Sequence, residues 1–451
     1  MKQKDLTHGG IMSNIFGFAL PYIIAYFLQI LYGLADLFII GQYCKVDSTT
    51  AVSNGAQVMY FVTVVIIGLA MGTTVRMARA IGANDKRWAA QVMGNSVSMF
   101  MLLSLILSVV LLLSTNVIVG LMQTPPEAIA GTKSYLAVCF IGIPFIVAYN
   151  IIASIFRGIG DTQTPLMFVA VACVSNILLD YLFIGYMHMG PTGAALGTTL
   201  SQTISVIFAA LTIRRHKDIF DMRWTDLKPQ KNILSNILKI GIPIALQDGF
   251  IQVSFILIAI IANMRGLDDA AAVGIVEKFI GLLFIVPSAM LSTVSAVSAQ
   301  CIGACQAERA QSTLLRATEI VILFGLICVM LIHIFPEAPV RLFTDNENVI
   351  KQGTAYLSSY GWDCILAGIH FCFSGYFTAY NYSLVSFAHN VVSIVTARVP
   401  LSYLLSINFP LTLYPMGWAA PIGSFVSIVI CIVAYTYMKR KGCFEICKTP
   451  N

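Results

Sequence analysis

Apolar segments of about 20 residues recur along the whole sequence, and a short polar break separates each from the next. A transmembrane helix needs a segment of this length, whereas a transmembrane strand needs only about 10 residues of alternating character. The pattern therefore predicts an all-α integral membrane protein. We count twelve segments, centred near residues 28, 66, 104, 146, 175, 203, 250, 285, 324, 366, 395 and 426.

Composition and charge agree with this class. Hydrophobic residues make up 58% of the chain and charged residues 11%, whereas a soluble domain has about 25% charged residues. Most Lys and Arg residues outside the apolar segments fall on one side of the bilayer, which predicts a plasma (inner) membrane protein with both termini cytoplasmic. The net charge of +6 follows from this bias. We therefore expect the chain to lie in a lipid bilayer and not to bind nucleic acid.

The two halves of the sequence repeat each other at offsets close to 222 residues, which is the strongest sign of its organisation. The matches occur in the same order in both halves: Pro21 with Pro243, Ala51-Val52 with Ala272-Val273, Ile81-Gly82-Ala83 with Ile302-Gly303-Ala304, Phe156 with Phe373, and Pro191 with Pro415. Each half holds six apolar segments, an even number, so both halves enter the membrane from the same side. The halves are therefore predicted to be parallel six-helix repeats.

The predicted domains follow from the repeat and from the longest charged connection. We expect a first lobe at residues 1–213, a cytoplasmic linker at 214–236, a second lobe at 237–438 and a cytoplasmic tail at 439–451. Two rocking lobes on one linker are what alternating access requires; the alternative is a duplicated scaffold without transport. Twelve spans suffice for a pathway in one chain, so a monomer is expected to function.

The first apolar segment is polar along one line only. Tyr22, Gln29 and Asp36 fall at i, i+7 and i+14, and Tyr26 and Tyr32 lie on the same stripe. A charge near membrane mid-depth costs about 2.5–3.5 kcal/mol, so an Asp inside a span predicts a functional site that faces a cavity. The alternative is that Asp36 caps the outer end of the span, but the residues after it are still largely apolar or small.

The fifth segment supplies a second acid. Asn176 and Asp180 are four residues apart, which places the amide and the carboxylate on one helix face. Thr198 adds a hydroxyl where the sixth segment is expected to begin, and Tyr135 and Asn150 add polar groups to the fourth. Two carboxylates in a low-dielectric bundle form a proton site when desolvation and mutual repulsion favour the neutral form. The same oxygen-rich set can instead hold Na⁺, and the residues leave both ions open.

The second half is poor in acids where the first is rich. The counterpart of Asp36 falls near Leu257 and Ile258, so we expect ion coupling in the first lobe. Gln252 in the seventh segment is a candidate cavity residue.

Two further pairs of polar residues occur in the second half. Glu277 and Lys278 in the eighth segment either line the cavity or neutralise each other as neighbours. Asp363 and His370 in the tenth segment are seven residues apart and share a helix face. A lone His in a span is more often a satisfied packing residue than a proton relay.

These residues carry a family resemblance that covers essentially the whole chain. The sequence resembles the multidrug and toxic compound extrusion (MATE) family in four motifs taken together: Pro21 with Gln29 and Asp36, the turn Arg157-Gly-Ile-Gly-Asp161-Thr-x-x-Pro165, the pair Asn176 and Asp180, and Gly193-Ala194-Ala195 before Thr198. The family implies two six-helix lobes that export amphipathic, often cationic, organic compounds in exchange for H⁺ or Na⁺. It implies no cofactor other than the coupling ion.

The resemblance also implies roles for single residues. Asp36, Asn176, Asp180 and Thr198 match the ion-coupling network of the first lobe, where Na⁺ would bind if it is the coupling ion. Cavity-lining positions of the family are matched by Gln29, Tyr32, Tyr135 and Asn150. One branch carries an acid in the seventh span; here the nearby residues are Ile251 and Gln252, so the chain is more similar to the branch coupled through the first lobe.

Two other functions are compared with transport of this kind. A lipid-linked oligosaccharide flippase of the same wider superfamily needs a strongly basic cavity, and the spans contain few basic residues, among them Lys239, Lys278 and Arg398. A membrane-embedded enzyme needs a nucleophile with a base or a metal cluster, and neither a His-x-x-x-His nor a Gly-x-Ser-x-Gly motif is present. The sequence therefore favours a secondary transporter over an enzyme.

Overall fold

The computed structural model describes residues 5–215 and 223–445, without the side chains of residues 214 and 215. In these ranges the chain is helical and contains no strand. Eleven of its helical spans are long and apolar enough to cross a membrane. The prediction of an all-α, multi-pass membrane protein is confirmed.

Six long helices form the first half of the chain, and a π-helical turn at Tyr181–Tyr186 extends the fifth. They are α1 (Ile11–Tyr43), α2 (Val46–Gly82), α3 (Lys86–Leu121), α4 (Pro126–Ile159), α5 (Gln163–Asp180) and α6 (Gly190–Arg215). The sequence placed Thr198 at the start of the sixth span, but α6 begins at Gly190, because the Gly190-Pro191 pair suits a first helical turn. Thr198 therefore lies two turns inside the helix.

More helices form the second half, because several of its spans are interrupted. They are α7 (Lys231–Asn263), α8 (Leu267–Leu283), α9 (Ile285–Gly303), α10 (Ala307–Ile334), α11 (Ala338–Arg341), α12 (Glu347–Tyr360), α13 (Asp363–Ala379), α14 (Ser383–Ser393), α15 (Val399–Asn408), α16 (Tyr414–Gly417) and α17 (Ala419–Arg440). A π-helical turn at Ile394–Arg398 joins α14 to α15. The tenth predicted span corresponds to α12 and α13, which are separated at Gly361 and Trp362.

The turns that separate the helices follow from local sequence. Asp85 caps α3, since its carboxylate accepts a hydrogen bond from the N–H of Trp88 at 2.8 Å. Asp161 lies one residue before Thr162, the N-cap of α5, and holds the first turn through Thr164, whose N–H and hydroxyl donate to its carboxylate at 3.0 and 2.6 Å. Gly160 ends α4 with φ of 93°, a left-handed conformation that favours glycine. The glycine-rich turn before α5 is therefore a helix end and cap.

Helices of the first unit approach closely where one of them carries glycine. A Cβ at Gly55 of α2 would overlap the ring of Tyr135 on α4, and a Cβ at Gly142 would overlap Thr199 on α6. Small residues at such crossings let helices associate without a hydrophobic driving force between them, as membrane bundles require. The close packing fixes α4 between α2 and α6.

The chain divides into two compact units. The main part of one is Leu20–Gly241, and the other consists of Leu6–Ala19 and Ile242–Asn451. Both α1 and α7 carry a proline, Pro21 and Pro243, just after the position where the helix passes from one unit to the other. A proline inside a helix removes a backbone hydrogen bond and favours a kink there.

Several sequence-based assignments lie outside the described residues. These are the middle of the linker at residues 216–222, the end of the tail at 446–451, and the basic residues Lys2, Lys4, Lys217 and Lys448. The lobe boundaries at residues 213 and 237 and the cytoplasmic position of both termini remain predictions.

The segment before α7 is fastened to α3 within the first unit, and we call this contact the linker clasp. Arg87 Nη1 donates to Asp226 Oδ2 at 2.8 Å, and Arg87 Nη2 lies 2.6 Å from Oδ1. Asn95 donates to the carbonyl of Asp226 at 3.1 Å and accepts from the N–H of Gln230 at 2.6 Å. Ser98 donates to the carbonyl of Leu227 at 2.7 Å.

The segment before α1 is fastened to the second unit in a similar way, and we call this contact the amino-terminal clasp. The guanidinium of Arg309 donates to the carbonyls of Leu6, His8 and Gly9 at 3.3, 3.0 and 2.9 Å. The N–H of Leu6 donates to Gln300 at 3.3 Å, and Leu6 is fully buried. Each clasp therefore uses an arginine in the first turn of the third span of a repeat.

We expect Arg87→Gln and Arg309→Gln each to lower the unfolding temperature of the purified protein by several degrees, because each change removes charge-assisted hydrogen bonds from a buried segment. The matched control is Arg316→Gln, which removes an exposed ion pair with Glu319 and is expected to change little. Thermal unfolding in detergent measures the effect. Equal unfolding temperatures for all three variants would contradict a stabilising role of the clasps.

The linker clasp also makes stability depend on pH. Burial acts to raise the pKa of Asp226, but hydrogen bonds from the Arg223 N–H and the Arg87 guanidinium outweigh it and lower that pKa. The contribution of ionised Asp226 to the free energy of unfolding is therefore complete above the ordinary Asp pKa of about 3.9. It is lost as the pH falls through the lowered pKa of the folded state.

Candidate functional site

Four side chains that the sequence selected come together within the first unit. Thr198 on α6 donates a hydrogen bond to Asp36 Oδ2 at 3.2 Å, across 162 positions of sequence. Asp36 also lies beside Asp180 and Asn176 of α5. All three residues are buried, with exposed fractions of 6% for Asp36 and 0% for Asn176 and Asp180. The i, i+4 spacing places the Asn176 amide and the Asp180 carboxylate on one face of α5, and α1 brings Asp36 to them. We call this group with Thr198 the acid cluster.

The acid cluster has more polar atoms than protein partners. Among the described residues, no hydrogen bond reaches Asp36 Oδ1, either oxygen of Asp180, or either polar atom of the Asn176 amide. Buried charges that lack partners are costly, and a proton or a bound cation removes that cost. Asp36, Asp180, Asn176 and Thr198 also present the oxygen ligands that a hard cation prefers. The cluster is therefore chemically suited to take up a small cation.

The backbone of α6 determines where the carboxylate of Asp180 lies. A Cβ at Gly197 would overlap Asp180 Oδ1, so only glycine at this position leaves the oxygen its place. Because Gly197 precedes Thr198, one short stretch of α6 contacts both acids: the glycine makes room for Asp180 and the hydroxyl binds Asp36. The sequence analysis selected Thr198 but did not anticipate the part played by Gly197.

A pocket in the first unit lies along the polar stripe of α1. It is lined by Tyr22, Ala25, Tyr26, Gln29, Ile67, Tyr149, Asn150, Ala153, Arg157, Thr162 and Pro165. The guanidinium of Arg157 lies over the ring of Tyr22 at 5.2 Å from the centroid and donates to Ser154 at 2.9 Å. Two predicted cavity residues, Gln29 and Asn150, are in this pocket, among tyrosines whose ring faces attract cations.

The other predicted cavity residues lie elsewhere. Tyr32 is half-buried near Asp36 and Gln202, on the same stripe of α1. Tyr135 is 3% exposed and belongs to the hydrophobic core of the first unit. Gln252 is half-buried on α7 in the second unit. Their functional roles remain predictions.

The second unit contains a buried polar group that the sequence analysis did not assemble. Asp363, at the start of α13, and His370 line a pocket together with Arg398 from the π-helical turn after α14. Arg398 Nη2 donates to the hydroxyl of Tyr360 at 2.6 Å. A signal was present in the sequence, since an arginine inside an apolar span is costly and marks a functional position by default.

Glu277 of α8 adds an acid near this group. It interacts electrostatically with Arg398, and its Oε1 is buried without a hydrogen-bond partner in the described part of the chain. Lys278, the next residue, is exposed. Neighbouring positions on a helix face different directions, so the alternative of a Glu277–Lys278 neutralising pair is not supported.

The comparison with protein families identifies both halves of the chain. A family model described as MatE matches residues 21–182 and again residues 243–404. The two matches are displaced by 222 residues, which confirms the internal duplication read from the sequence. Together they cover more than half of the chain.

Curated relatives of similar length have names that agree with the family. The chain is 27% identical over 407 residues to "Probable multidrug resistance protein YpnP" of Bacillus subtilis (strain 168), covering 90% of this chain and 91% of that protein. It is 26% identical over 434 residues to "Probable multidrug resistance protein NorM" of Thermotoga maritima, covering 95% of this chain and 91% of that protein.

A solved structure has the same fold. It is described as "Outward-facing conformation of a multidrug resistance MATE family transporter of the MOP superfamily", and it superposes with a TM-score of 0.91 at 23% identity over 98% of this chain and 99% of that chain. The match of the MatE model across both repeats, together with these similarities, shows that the chain belongs to the MatE family of multidrug efflux transporters.

Proposed function

We propose that the chain is a secondary antiporter that exports amphipathic, cationic organic compounds across the plasma (inner) membrane in exchange for H⁺ or Na⁺. The observation that carries the proposal is the acid cluster, in which three of the four carboxylate oxygens of two buried acids have no hydrogen-bond partner among the described residues. Such a group gains most from a small cation that neutralises it. We infer that both termini are cytoplasmic and that a monomer without catalytic activity of its own performs the transport.

The coupling step is uptake of the ion by the acid cluster. Asp36 is on α1, whereas Asp180 and Thr198 are on α5 and α6, so an ion held between them links α1 to the rest of the first unit. Without the ion, the two carboxylates repel each other and favour separation of α1 from α5. An ion gradient can therefore drive a movement of α1, and Pro21 supplies a position where α1 can bend.

The pocket along α1 is the proposed entry for substrate. Tyr26 and Tyr149 offer ring faces to an organic cation, and Gln29 and Asn150 offer amide groups. The ring of Tyr22 already faces the Arg157 guanidinium. The pocket and the acid cluster both include α1, so a shift of α1 on ion binding changes the pocket as well. This shared helix is the proposed physical link between ion uptake and substrate release.

The test is efflux of a fluorescent organic cation from proteoliposomes that contain the purified protein. A pH gradient and a Na⁺ gradient are imposed separately, and protein-free liposomes serve as the control. We expect transport to follow one of the two gradients, which identifies the coupling ion. Monodisperse protein that moves the probe under neither gradient would refute the proposed antiport of organic cations.

A further inference from the structure

The second unit contains a pocket whose chemistry differs from that of the acid cluster. It lies between α7, α13, α17 and the α14–α15 span, and it is lined by Ile251, Phe255, Phe284, Asp363, Ala367, His370, Phe371, Asn390, Ser393, Ile394, Arg398, Ser424 and Ser427. Its lining includes one carboxylate, one guanidinium and three phenylalanine rings. We call it the second-unit pocket.

The guanidinium of Arg398 is held in a fixed position. Its Nη2 donates to the Tyr360 hydroxyl at 2.6 Å, and its plane lies over the ring of Phe255 at 4.8 Å from the centroid. Arg398 is only 9% exposed, and its Nε has no hydrogen-bond partner among the described residues. A fixed guanidinium with an unused donor is an anchor for a planar anion such as a carboxylate.

Asp363 supplies a carboxylate to the same pocket and interacts electrostatically with Arg398. It is fully buried beside Ser424, and neither of its oxygens has a hydrogen bond of good geometry from any described residue. His370 is bonded on one side only, since its Nε2 lies 3.4 Å from the Ser424 hydroxyl whereas its Nδ1 has no partner in the described chain. Buried polar atoms that stay unpaired are rare in folded proteins, and they need a functional explanation.

The two repeats place opposite charges in the same span. In the first repeat the fifth span contributes Asp180, immediately before the π-helical turn Tyr181–Tyr186. In the second repeat the fifth span contributes Arg398, at the end of the π-helical turn Ile394–Arg398. Such turns are frequent at functional sites because they redirect side chains out of helical register. Both repeats therefore carry a π-helical turn beside a charged residue in this span, but the charged positions are not equivalent, since the offset of 222 pairs Arg398 with Asn176 and Asp180 with Ser402.

We propose that the second-unit pocket binds a zwitterionic amphiphile, with its ammonium group at Asp363, its carboxylate at Arg398 and its apolar body among Phe255, Phe284 and Phe371. Arg398 interacts electrostatically with Asp363 and with Glu277, so part of the charge in this region is already balanced. A zwitterion adds one group of each sign and keeps that balance. A simple cation or a simple carboxylate adds a charge that only one kind of side chain in the pocket can pair.

This inference goes beyond the proposed function and does not depend on it. The acid cluster lies in the first unit and holds the coupling ion, whereas the second-unit pocket recognises an organic molecule. Binding is therefore tested without any ion gradient, on purified full-length protein. A failure of antiport and a failure of this pocket are separate results.

The test compares three probes that share the phenylalanine side chain and differ in charge: phenylalanine, its methyl ester, which lacks the carboxylate charge, and N-acetylphenylalanine, which lacks the ammonium charge. Dissociation constants are measured by calorimetry at constant salt. We expect phenylalanine to bind at least about tenfold more tightly than either derivative, since a charged hydrogen bond of this kind contributes about 1.5–3 kcal/mol. Equal binding of all three probes would overturn the proposal, and so would binding of the ester alone.

Substitutions of Arg398 and Asp363 test which side chain causes each binding preference. Arg398→Gln is expected to bring the ratio of affinities for phenylalanine and its methyl ester to about one. Asp363→Asn is expected to bring the ratio of affinities for phenylalanine and N-acetylphenylalanine to about one. The matched control is Arg316→Gln, an exposed arginine of α10, which should keep both preferences. If Arg398→Gln does not fold, Arg398→Lys replaces it and is expected to weaken phenylalanine binding while retaining some preference over the ester. Unchanged preferences in the folded variants would refute the assignment.

Discussion

Replacement of Asp36 by Asn is expected to reduce gradient-driven export by at least about tenfold, because the coupling ion loses a charged ligand contributing about 1.5–3 kcal/mol. The amide has nearly the same shape and can still accept the hydrogen bond from Thr198 that Asp36 Oδ2 accepts at 3.2 Å. The loss would therefore report charge and ion uptake. The measurement is efflux of a fluorescent organic cation under the imposed gradient that drives the unmodified protein.

The control for this prediction is Asp47→Asn, the same chemical change at an exposed Asp in the first turn of α2. It is expected to leave transport near the level of the unmodified protein. Expression and monodispersity of both variants are compared first, so that a folding defect is recognised as such. Full export by Asp36→Asn at equal protein level would remove Asp36 from the coupling step.

Replacement of Gly197 by Ala is expected to impair export about as strongly as loss of Asp36, by about tenfold or more. The added Cβ would overlap Asp180 Oδ1, so the carboxylate must turn away from its place beside Asp36. The atom that has to move is the end of a side chain, and alanine is a better helix former than glycine. The variant should therefore fold normally and still fail in transport.

Gly120→Ala is the matched control for this substitution. It lies on α3, and a Cβ there would meet nothing within 4 Å. The two variants are compared for unfolding temperature and for export in the same vesicles. A Gly197→Ala protein that exports at the level of Gly120→Ala would show that the position of the Asp180 carboxylate does not matter.

Much of the fold could be predicted because a lipid bilayer permits only a few kinds of secondary structure. Every backbone polar group must be satisfied inside a span, so length and hydropathy identify the helices almost without regard to tertiary contacts. The offset of 222 between Pro21 and Pro243 then gave the duplication. The interruption at Gly361 and Trp362 was not predicted, because hydropathy does not report a break in helical geometry.

The acid cluster was predictable in part for the same reason. An Asp inside a span is costly, and Asn176 with Asp180 is a local pattern that helical geometry interprets directly. The contact between Thr198 and Asp36 needs the tertiary arrangement of α1 and α6, which no local spacing contains. From the sequence Arg398 was noted only as one of the few basic residues in the spans, because its partners Tyr360 and Phe255 come from other helices.

The two clasps have a consequence for the order in which the protein can be assembled during synthesis. The segment held by the linker clasp follows its partner Arg87 in the chain, so this contact can form as soon as residues 223–230 leave the ribosome. The segment at Leu6 is made first, but Gln300 and Arg309 are made about 300 residues later. The beginning of the chain can therefore dock only after the second repeat has reached its third span. Its docking depends on residues of the second repeat, so it cannot be an early step of biogenesis.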